Sequence, residues 1–216
     1  MRTIQQITTE ILGRSPFLGA AISEGVANNA KIARLIKPDI ENILLEEVSD
    51  EAVTMAVHRA AKDLQRPQFG TKFLKLLSDI TVRSKLIEYT FPNTVDISSV
   101  VAAIVNIADM KKDAFFNFSR GLHESLIIVS RELENDLIAA LGNARGVRKS
   151  GELSAITLRL PEESLSVPGV YYPILKALAF EGISFTEVMS VRTELSILFE
   201  EKDIDRAFAV IKKITA

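Results

Sequence analysis

The chain has 216 residues, of which 47% are hydrophobic and 25% charged, a composition typical of a globular protein with a sizeable core. A net charge of −2 gives no overall electrostatic attraction to nucleic acid or to an anionic membrane. The absence of cysteine excludes a disulfide framework, thiolate catalysis and cysteine-based zinc sites.

No apolar run reaches the roughly 18 residues that a membrane-spanning helix needs. Residues 1–14 also lack the apolar central region of a signal peptide. We therefore expect a cytoplasmic protein with no membrane partner.

Residues 1–68 are predicted to form an all-α, winged-helix-like domain. Pro16 suits the first turn of a helix after Ser15, and two short helices are predicted over residues 30–36 and 38–44. Ser49 is a suitable N-cap for a longer helix over residues 50–64, whose first turn is acidic. Residues 65–70, with proline and glycine, interrupt the helical pattern and mark a domain boundary.

These helices also permit a helix-turn-helix, with residues 31–36 as the supporting helix and 50–64 as the recognition helix. The residues that would face DNA are Thr54, His58, Arg59 and Lys62. Residues 1–67 carry eight Lys/Arg and nine Asp/Glu, and 8 − 9 = −1 is a poor charge for a phosphate-binding surface. DNA binding and protein interaction both stay open as roles of this domain.

The rest of the chain changes to a mixed α/β pattern. Strands are predicted over residues 153–160, 183–191 and 194–201, with one helix after the first strand and another over 203–214. The order β-α-β-β-α is that of a ferredoxin-like split sandwich, so the fold class of the chain is α+β. Such a fold ends with a fourth strand, and almost no chain follows Ile214. Either another part of the molecule completes the edge or the strand is absent.

The same pattern occurs 70 residues earlier, which predicts an internal repeat. The matched pairs are Leu86 with Ile156, Ile104 with Ile174, Phe115 with Phe185, Ile127 with Ile197 and Leu137 with Ala207. We predict two tandem units, residues 78–146 (the first repeat) and 150–216 (the second repeat). The repeats differ where Pro168-Gly169 of the second falls on Ser98-Ser99 of the first.

The second repeat resembles an ACT domain, particularly the regulatory ACT modules of aspartokinases. The resemblance rests on Pro168-Gly169-Val170, on the Leu-Ala-Phe-Glu-Gly-Ile run of residues 178–183, and on residues 190–197. The first repeat is a degenerate copy. About 80 preceding residues cannot hold an amino-acid-kinase domain and contain no glycine-rich phosphate loop, so the resemblance covers only the regulatory part.

The resemblance implies a small ligand, an amino acid, bound where paired ACT units meet. Residues at the turn would form one side of the site and residues of the next strand the other, with Glu187 meeting the ligand's amino group. The expected ligand contacts are Ser166, Pro168, Gly169, Val170, Tyr171, Glu187, Val188, Met189 and Ser190. Ser166 departs from the Asn or Asp usual in the family. A glycine at such a turn also lets the backbone approach a ligand, and free N–H groups at a helix start attract a carboxylate.

Nothing in the sequence indicates catalysis. His58 and His123 lie in different domains without ligand-spaced partners, and no nucleophile motif is present, so we expect no enzyme activity, no metal and no cofactor. The leading hypothesis is a regulatory protein with a helical output domain, a tandem ACT-like sensor and homodimerisation through the ACT-like sheets. The alternatives are an interaction protein that binds no ligand and a transcriptional regulator that binds DNA.

Overall fold

The computed structural model describes residues 2–23, 25–63, 71–77, 79–94, 96–111 and 114–215. The chain divides into two compact units, residues 1–68 and 69–216. The predicted boundary at residues 65–70 lies outside the described residues. No helix in the described part of the chain is long and apolar enough to cross a membrane.

The described residues of the first unit form helices joined by short loops. Its helices are α1 (Ile4–Gly13), α2 (Pro16–Ser23), α3 (Asn29–Leu44) and α4 (Asp50–Asp63). The predicted cap is confirmed, since the Ala52 N–H donates to Ser49 Oγ at 3.1 Å. Residues 2–23 and 25–63 contain no strand that could form a wing, so the winged-helix arrangement stays a prediction.

The two short helices predicted over 30–36 and 38–44 are one helix, and the break predicted at Pro38 is wrong. Pro38 lies inside α3 and lacks the N–H that would bond to the carbonyl of Arg34. Ile32, Ile36 and Ile40 are all buried in the core of the unit and lie four residues apart. Burial of this continuous apolar stripe offsets the lost hydrogen bond, so the helix continues through the proline.

The second unit contains the two predicted βαββα repeats, preceded by a short helix α5 (Thr71–Leu74). The first repeat comprises β1 (Asp79–Pro92), α6 (Ser98–Met110), β2 (Phe116–Arg120), β3 (Glu124–Ser130) and α7 (Glu134–Leu141). The second comprises β4 (Arg148–Arg159), α8 (Tyr172–Phe180), β5 (Glu187–Val191), β6 (Glu194–Glu200) and α9 (Ile204–Thr215). The predicted order of strands and helices is therefore confirmed.

All six strands form one antiparallel sheet in the order β2-β3-β1-β4-β6-β5. The first strands of the two repeats, β1 and β4, pair with each other at its centre. Each repeat therefore uses the other's first strand in the place of its missing fourth strand. Of the two alternatives for the missing fourth strand, the structure shows the first: another part of the same molecule completes the edge.

Helices cover one face of this sheet, which we call the helix face. Residues of α6 and α7 pack on β1 and β3, and residues of α8 and α9 pack on β4 and β6. The other face, which we call the open face, carries a smaller apolar cluster. Its buried members are Leu86, Ile128, Leu153, Ala155 and Leu198.

The structure corrects the alignment of the repeats at their first strands. Leu86 belongs to the open-face cluster, whereas Ile156 faces the helices, so these two residues are not equivalent. Tyr89 is the true counterpart of Ile156, because Tyr89 pairs with Ile127 in the first repeat as Ile156 pairs with Ile197 in the second. Later pairs keep the predicted spacing, since Ile104 and Ile174 are both buried, as are Ile127 and Ile197. The second repeat therefore has three residues more between its first strand and the matching part of its first helix.

Candidate ligand-binding site

The first helices of the two repeats end at equivalent residues but start differently. Met110 closes α6 and Phe180 closes α8, 70 residues later, yet α6 begins at Ser98 and α8 only at Tyr172. In the second repeat, residues 168–171 form a turn where the first repeat has helix. Gly169 adopts a φ of 72°, which a glycine tolerates and an L side chain rarely does.

This turn, residues 168–171, leaves backbone donors unused. In the described structure the N–H groups of Gly169, Val170 and Tyr171 donate to no protein acceptor, and Pro168 has no N–H. The Tyr172 N–H closes the turn by donating to Gly169 O at 3.0 Å. Three consecutive free donors ahead of a helix are a favourable place for a carboxylate or another anion.

The structure brings part of the predicted contact set together on the helix face. The hydroxyls of Tyr171 and Ser190 lie 2.7 Å apart, which ties the turn to β5. Val188 points to the same face as Ser190, because both are paired with core residues of β6. Val170 and Tyr171 pack against the helix-face core, and Ser166 Oγ donates to Glu163 O at 3.4 Å. The last residue of the turn, Tyr171, is thus held by both β5 and the helix-face core.

Strand β5 places the side chains of Glu187 and Met189 on the open face, away from the turn. Their β6 partners, Leu198 and Ser196, belong to the open face, so both side chains point away from the turn. Burial raises the pKa of Glu187, and the nearby charge of Glu88 raises it further. The ligand-contact roles of Glu187 and Met189 stay predictions, since within this chain the sheet lies between them and Gly169.

The residues predicted to face DNA all lie on α4. His58 and Arg59 are exposed and Thr54 is half-buried, while the Lys62 side chain lies outside the described residues. Asp50 at the start of α4 accepts a hydrogen bond from Lys37 Nζ at 2.7 Å. This bond raises the pKa of Lys37 and lowers that of Asp50. A helix whose start is acidic and ion-paired is unfavourable for binding phosphate, so DNA binding by α4 stays a prediction.

The sequence analysis missed a set of polar residues on the open face. Thr157 and Ser196 lie side by side there, with their hydroxyl oxygens 2.7 Å apart. The alternation of Ile156, Thr157 and Leu158 indicates a polar second face for β4. Alternation alone cannot align polar residues of three strands, because strand register is set by tertiary pairing.

The sheet of paired βαββα repeats with helices on one face is the fold of ACT-type regulatory domains. Neither a family model nor a curated protein matches the sequence. The resemblance appears in solved structures. Aspartate kinase of Clostridium acetobutylicum aligns with 65% of this chain at 12% identity and a TM-score of 0.53. The aligned part is 35% of that enzyme, so the chain spans about a third of it.

The regulatory subunit of aspartate kinase from Thermus thermophilus, in its ligand-free form, aligns with 64% of this chain. The alignment covers 97% of that subunit, at 10% identity and a TM-score of 0.51. Escherichia coli aspartokinase III aligns with 64% of this chain and 33% of its own, at 13% identity and a TM-score of 0.50. The second unit therefore has the fold of the regulatory part of aspartate kinases, which confirms the predicted ACT-type resemblance.

Proposed function

We propose that the chain is a regulatory protein without catalytic activity that senses a small ligand, an amino acid, through its second repeat. The ligand's carboxylate accepts hydrogen bonds from the N–H groups of Gly169, Val170 and Tyr171. The helical first unit is the output domain. The observation that carries this proposal is the opened turn, since the second repeat has free backbone donors where the first repeat has a helix.

Two further facts support a regulatory role. The structural neighbours include a separate regulatory subunit, and the Clostridium enzyme is described as allosteric. The turn is also hydrogen-bonded to the edge strand β5 through Tyr171 and Ser190, so a ligand at the turn lies close to that strand. An edge strand has unpaired backbone groups that can pair with another chain. We propose that the protein forms a homodimer through these sheets and that the ligand adjusts this pairing.

The experiment is a thermal-shift screen of the intact chain against the common amino acids, followed by calorimetric titration. A ligand that binds only the folded state raises Tm by mass action. The test variant replaces Pro168-Gly169 by Ser-Ser, the pair found in the first repeat. We expect this variant to extend α8 by about a turn, fold normally and lose binding.

The matched control places Pro-Gly at Ser98-Ser99, which changes the same residues in the other repeat and leaves the turn at 168–171 untouched. Binding should persist in this control. Unchanged affinity in the Pro168→Ser/Gly169→Ser variant would place the site elsewhere. No shift with any amino acid at millimolar concentration would favour the interaction protein that binds no ligand.

The output domain has a separate test. If α4 reads DNA, Arg59→Ala should weaken salt-dependent DNA binding, because a lost cation releases fewer counterions. Equal binding by the variant and the original protein, or no binding by either, would assign the first unit to protein partners.

A further inference from the structure

A buried carboxylate of β1, Glu88, has one oxygen without a partner. Glu88 is only 7% exposed. Ser150 Oγ donates to Glu88 Oε1 at 2.9 Å, whereas the buried Oε2 accepts no hydrogen bond from any described residue. None of the ion pairs among the described residues includes Glu88. A buried carboxylate is strongly unfavourable unless a cation or donors compensate it, so a positive charge beside Oε2 would be stabilising.

A second buried acceptor without a partner faces the same side of the sheet. Asn117 on β2 and Glu88 on β1 both pair with Ile128, a member of the open-face cluster. Cross-strand partners point to the same face, so the two side chains stand on either side of Ile128. Asn117 Oδ1 is buried and, within the described residues, has no hydrogen-bond partner. The Cα atoms of Asn117 and Glu88 are two strand spacings apart, about 10 Å, so both side chains can reach one small ion above Ile128.

A bulge brings a third oxygen to the same place. Between the partners of Ile87 and Tyr89, β4 has one residue more than β1, and this irregularity turns Ser150 toward Glu88. A hydroxyl that donates its hydrogen keeps lone pairs that accept or coordinate. Strands β2, β1 and β4 therefore contribute one oxygen each, and β4 belongs to the other repeat.

The electrostatic potential on this part of the open face is negative. Burial raises the pKa of Glu187, and the charge of Glu88 raises it further, so the two carboxylates interact through space. Glu187 is half-buried and in contact with solvent, whereas Glu88 is buried. A cation beside Glu88 is attracted by both carboxylates and lowers their mutual repulsion.

We propose that Glu88 Oε2 and Asn117 Oδ1, with Ser150 Oγ beside them, bind a monovalent cation. All three ligands are oxygens, which suit hard cations and not the metals that prefer nitrogen or sulfur. Carbonyl oxygens can replace the hydration shell of an ion such as K⁺. One carboxylate and two neutral oxygens carry a charge of −1, which a monovalent ion neutralises. A divalent ion would leave 2 − 1 = +1 in a buried place, which is unfavourable.

The second repeat cannot form the same site. Ala155 pairs with Leu198 as Glu88 pairs with Ile128, so the second repeat has a methyl group in place of the buried carboxylate. The cation site is thus particular to the first repeat, as the opened turn at 168–171 is particular to the second. The two sites lie on opposite faces of the sheet and are independent proposals.

The test is a set of thermal melts of the intact protein in the chlorides of K⁺, Na⁺, NH₄⁺, Mg²⁺ and tetramethylammonium at equal ionic strength. Tetramethylammonium is too large for the site and has no N–H to donate. We expect at least one of the small monovalent ions to raise Tm by about 3–5 °C over tetramethylammonium, the shift for a ligand at about ten times its Kd. Mg²⁺ should give a smaller gain.

Glu88→Gln keeps an acceptor for Ser150 and removes the buried charge. This variant should melt above the original protein in tetramethylammonium chloride and should gain nothing from the small cations. Asn117→Ala should reduce the gain. The matched control is Glu194→Gln, which neutralises an exposed carboxylate at the start of β6 and should keep the full gain.

Equal Tm values in all five salts would mean that water or the amide NH₂ of Asn117 satisfies Glu88, and would overturn the proposal. The same gain in Glu88→Gln would place the cation elsewhere, and a larger gain with Mg²⁺ would make the site divalent. Either result overturns the proposal as well. Asn117 is half-buried, so its variant is expected to fold and gives an answer even if Glu88→Gln does not. An undiminished gain in Asn117→Ala would overturn the assignment of the ligands.

Discussion

The two repeats share their core but not their first loop. Ile104 and Ile174 occupy the same place under the first helix, and Ile127 and Ile197 the same place on the third strand. Pro92 and Arg159 end the two first strands at equivalent places, but Val100 follows Pro92 by eight residues and Val170 follows Arg159 by eleven. The three added residues accompany Pro168-Gly169 and the loss of the first helical turn. Burial holds the packed residues of both repeats in place, while the exposed start of the helix is free to diverge.

The repeats also depend on each other. A three-stranded βαββα unit leaves its first strand at an edge, and here the edges of β1 and β4 close each other. Pairing of edges removes the exposed backbone groups that promote aggregation. We therefore expect the second unit to unfold in one step, although it contains two helix-face clusters.

The largest expected effect comes from truncating equivalent core side chains in the two repeats. Ile104→Ala and Ile174→Ala each remove a fully buried side chain, and each should lower the free energy of unfolding by about 2–5 kcal/mol. Hydrogen exchange during urea titration measures this. Either variant should lower the protection of amides in β1 and β4 together. Loss of protection in only the mutated repeat would show that the repeats unfold independently.

A smaller effect is expected at the turn that distinguishes the repeats. Gly169→Ala forces an L side chain into a φ of 72° and should cost about 1–2 kcal/mol. Ser99→Ala changes the equivalent residue of the first repeat, which is an exposed residue in the first turn of α6, and should cost far less. Urea midpoints of the two variants give the comparison. Equal losses of stability in the two variants would mean that the positive φ of Gly169 does not favour glycine at this residue.

The sequence predicted the repeats because burial leaves a periodic record. Ile174 and Leu178 of α8, and Ile197 and Phe199 of β6, are apolar at helical and strand spacing, and the structure buries them all. The first strand was misaligned by three residues, since Tyr89 rather than Leu86 matches Ile156, and β1 carries buried apolar residues on both of its faces. No sequence pattern could decide which of these residues matches Ile156.

The candidate site could be predicted only in part, because only a constraint on the residue type at one position leaves a signal in the sequence. Gly169 was identified because a positive φ requires a particular residue type, which leaves a visible sequence signal. The continuation of α3 through Pro38 depends on tertiary burial, which overrides the local preference of proline. The alignment of Thr157 with Ser196 on the open face depends on the pairing of β4 with β6, which has no local signal.

A modest effect is expected at the bond between the turn and β5. The first repeat has Val101 at the residue equivalent to Tyr171, so it has no such hydroxyl. Tyr171→Phe should cost about 0.5 kcal/mol, the low end for a hydrogen bond near the surface, and should speed hydrogen exchange around residues 166–172. Ser190→Ala should have the same effect, and the double variant should add nothing. Additive losses would mean that the two hydroxyls do not stabilise each other.

The smallest effect compares Glu187 with Asn117, its equivalent on β2. Burial and the charge of Glu88 raise the pKa of Glu187 in the folded protein, so the unfolded chain holds fewer protons on this carboxyl over the intervening pH range. Stability therefore falls as pH rises from the ordinary glutamate pKa through the raised one, and the penalty is complete above it. Below the ordinary value the penalty is absent, because both states are protonated.

Glu187→Gln should therefore raise Tm slightly at about pH 7 and leave it unchanged at about pH 4, where the carboxyl is largely neutral. Asn117→Asp, the reciprocal change, introduces a half-buried carboxylate in the first repeat and should lower Tm at neutral pH with recovery in acid. Thermal melts of both variants across this range measure the effects. If the Tm gain of Glu187→Gln persisted unchanged in acid, its cause would be side-chain shape or packing. The ionised carboxylate on the open face would then not be what distinguishes the two edge strands.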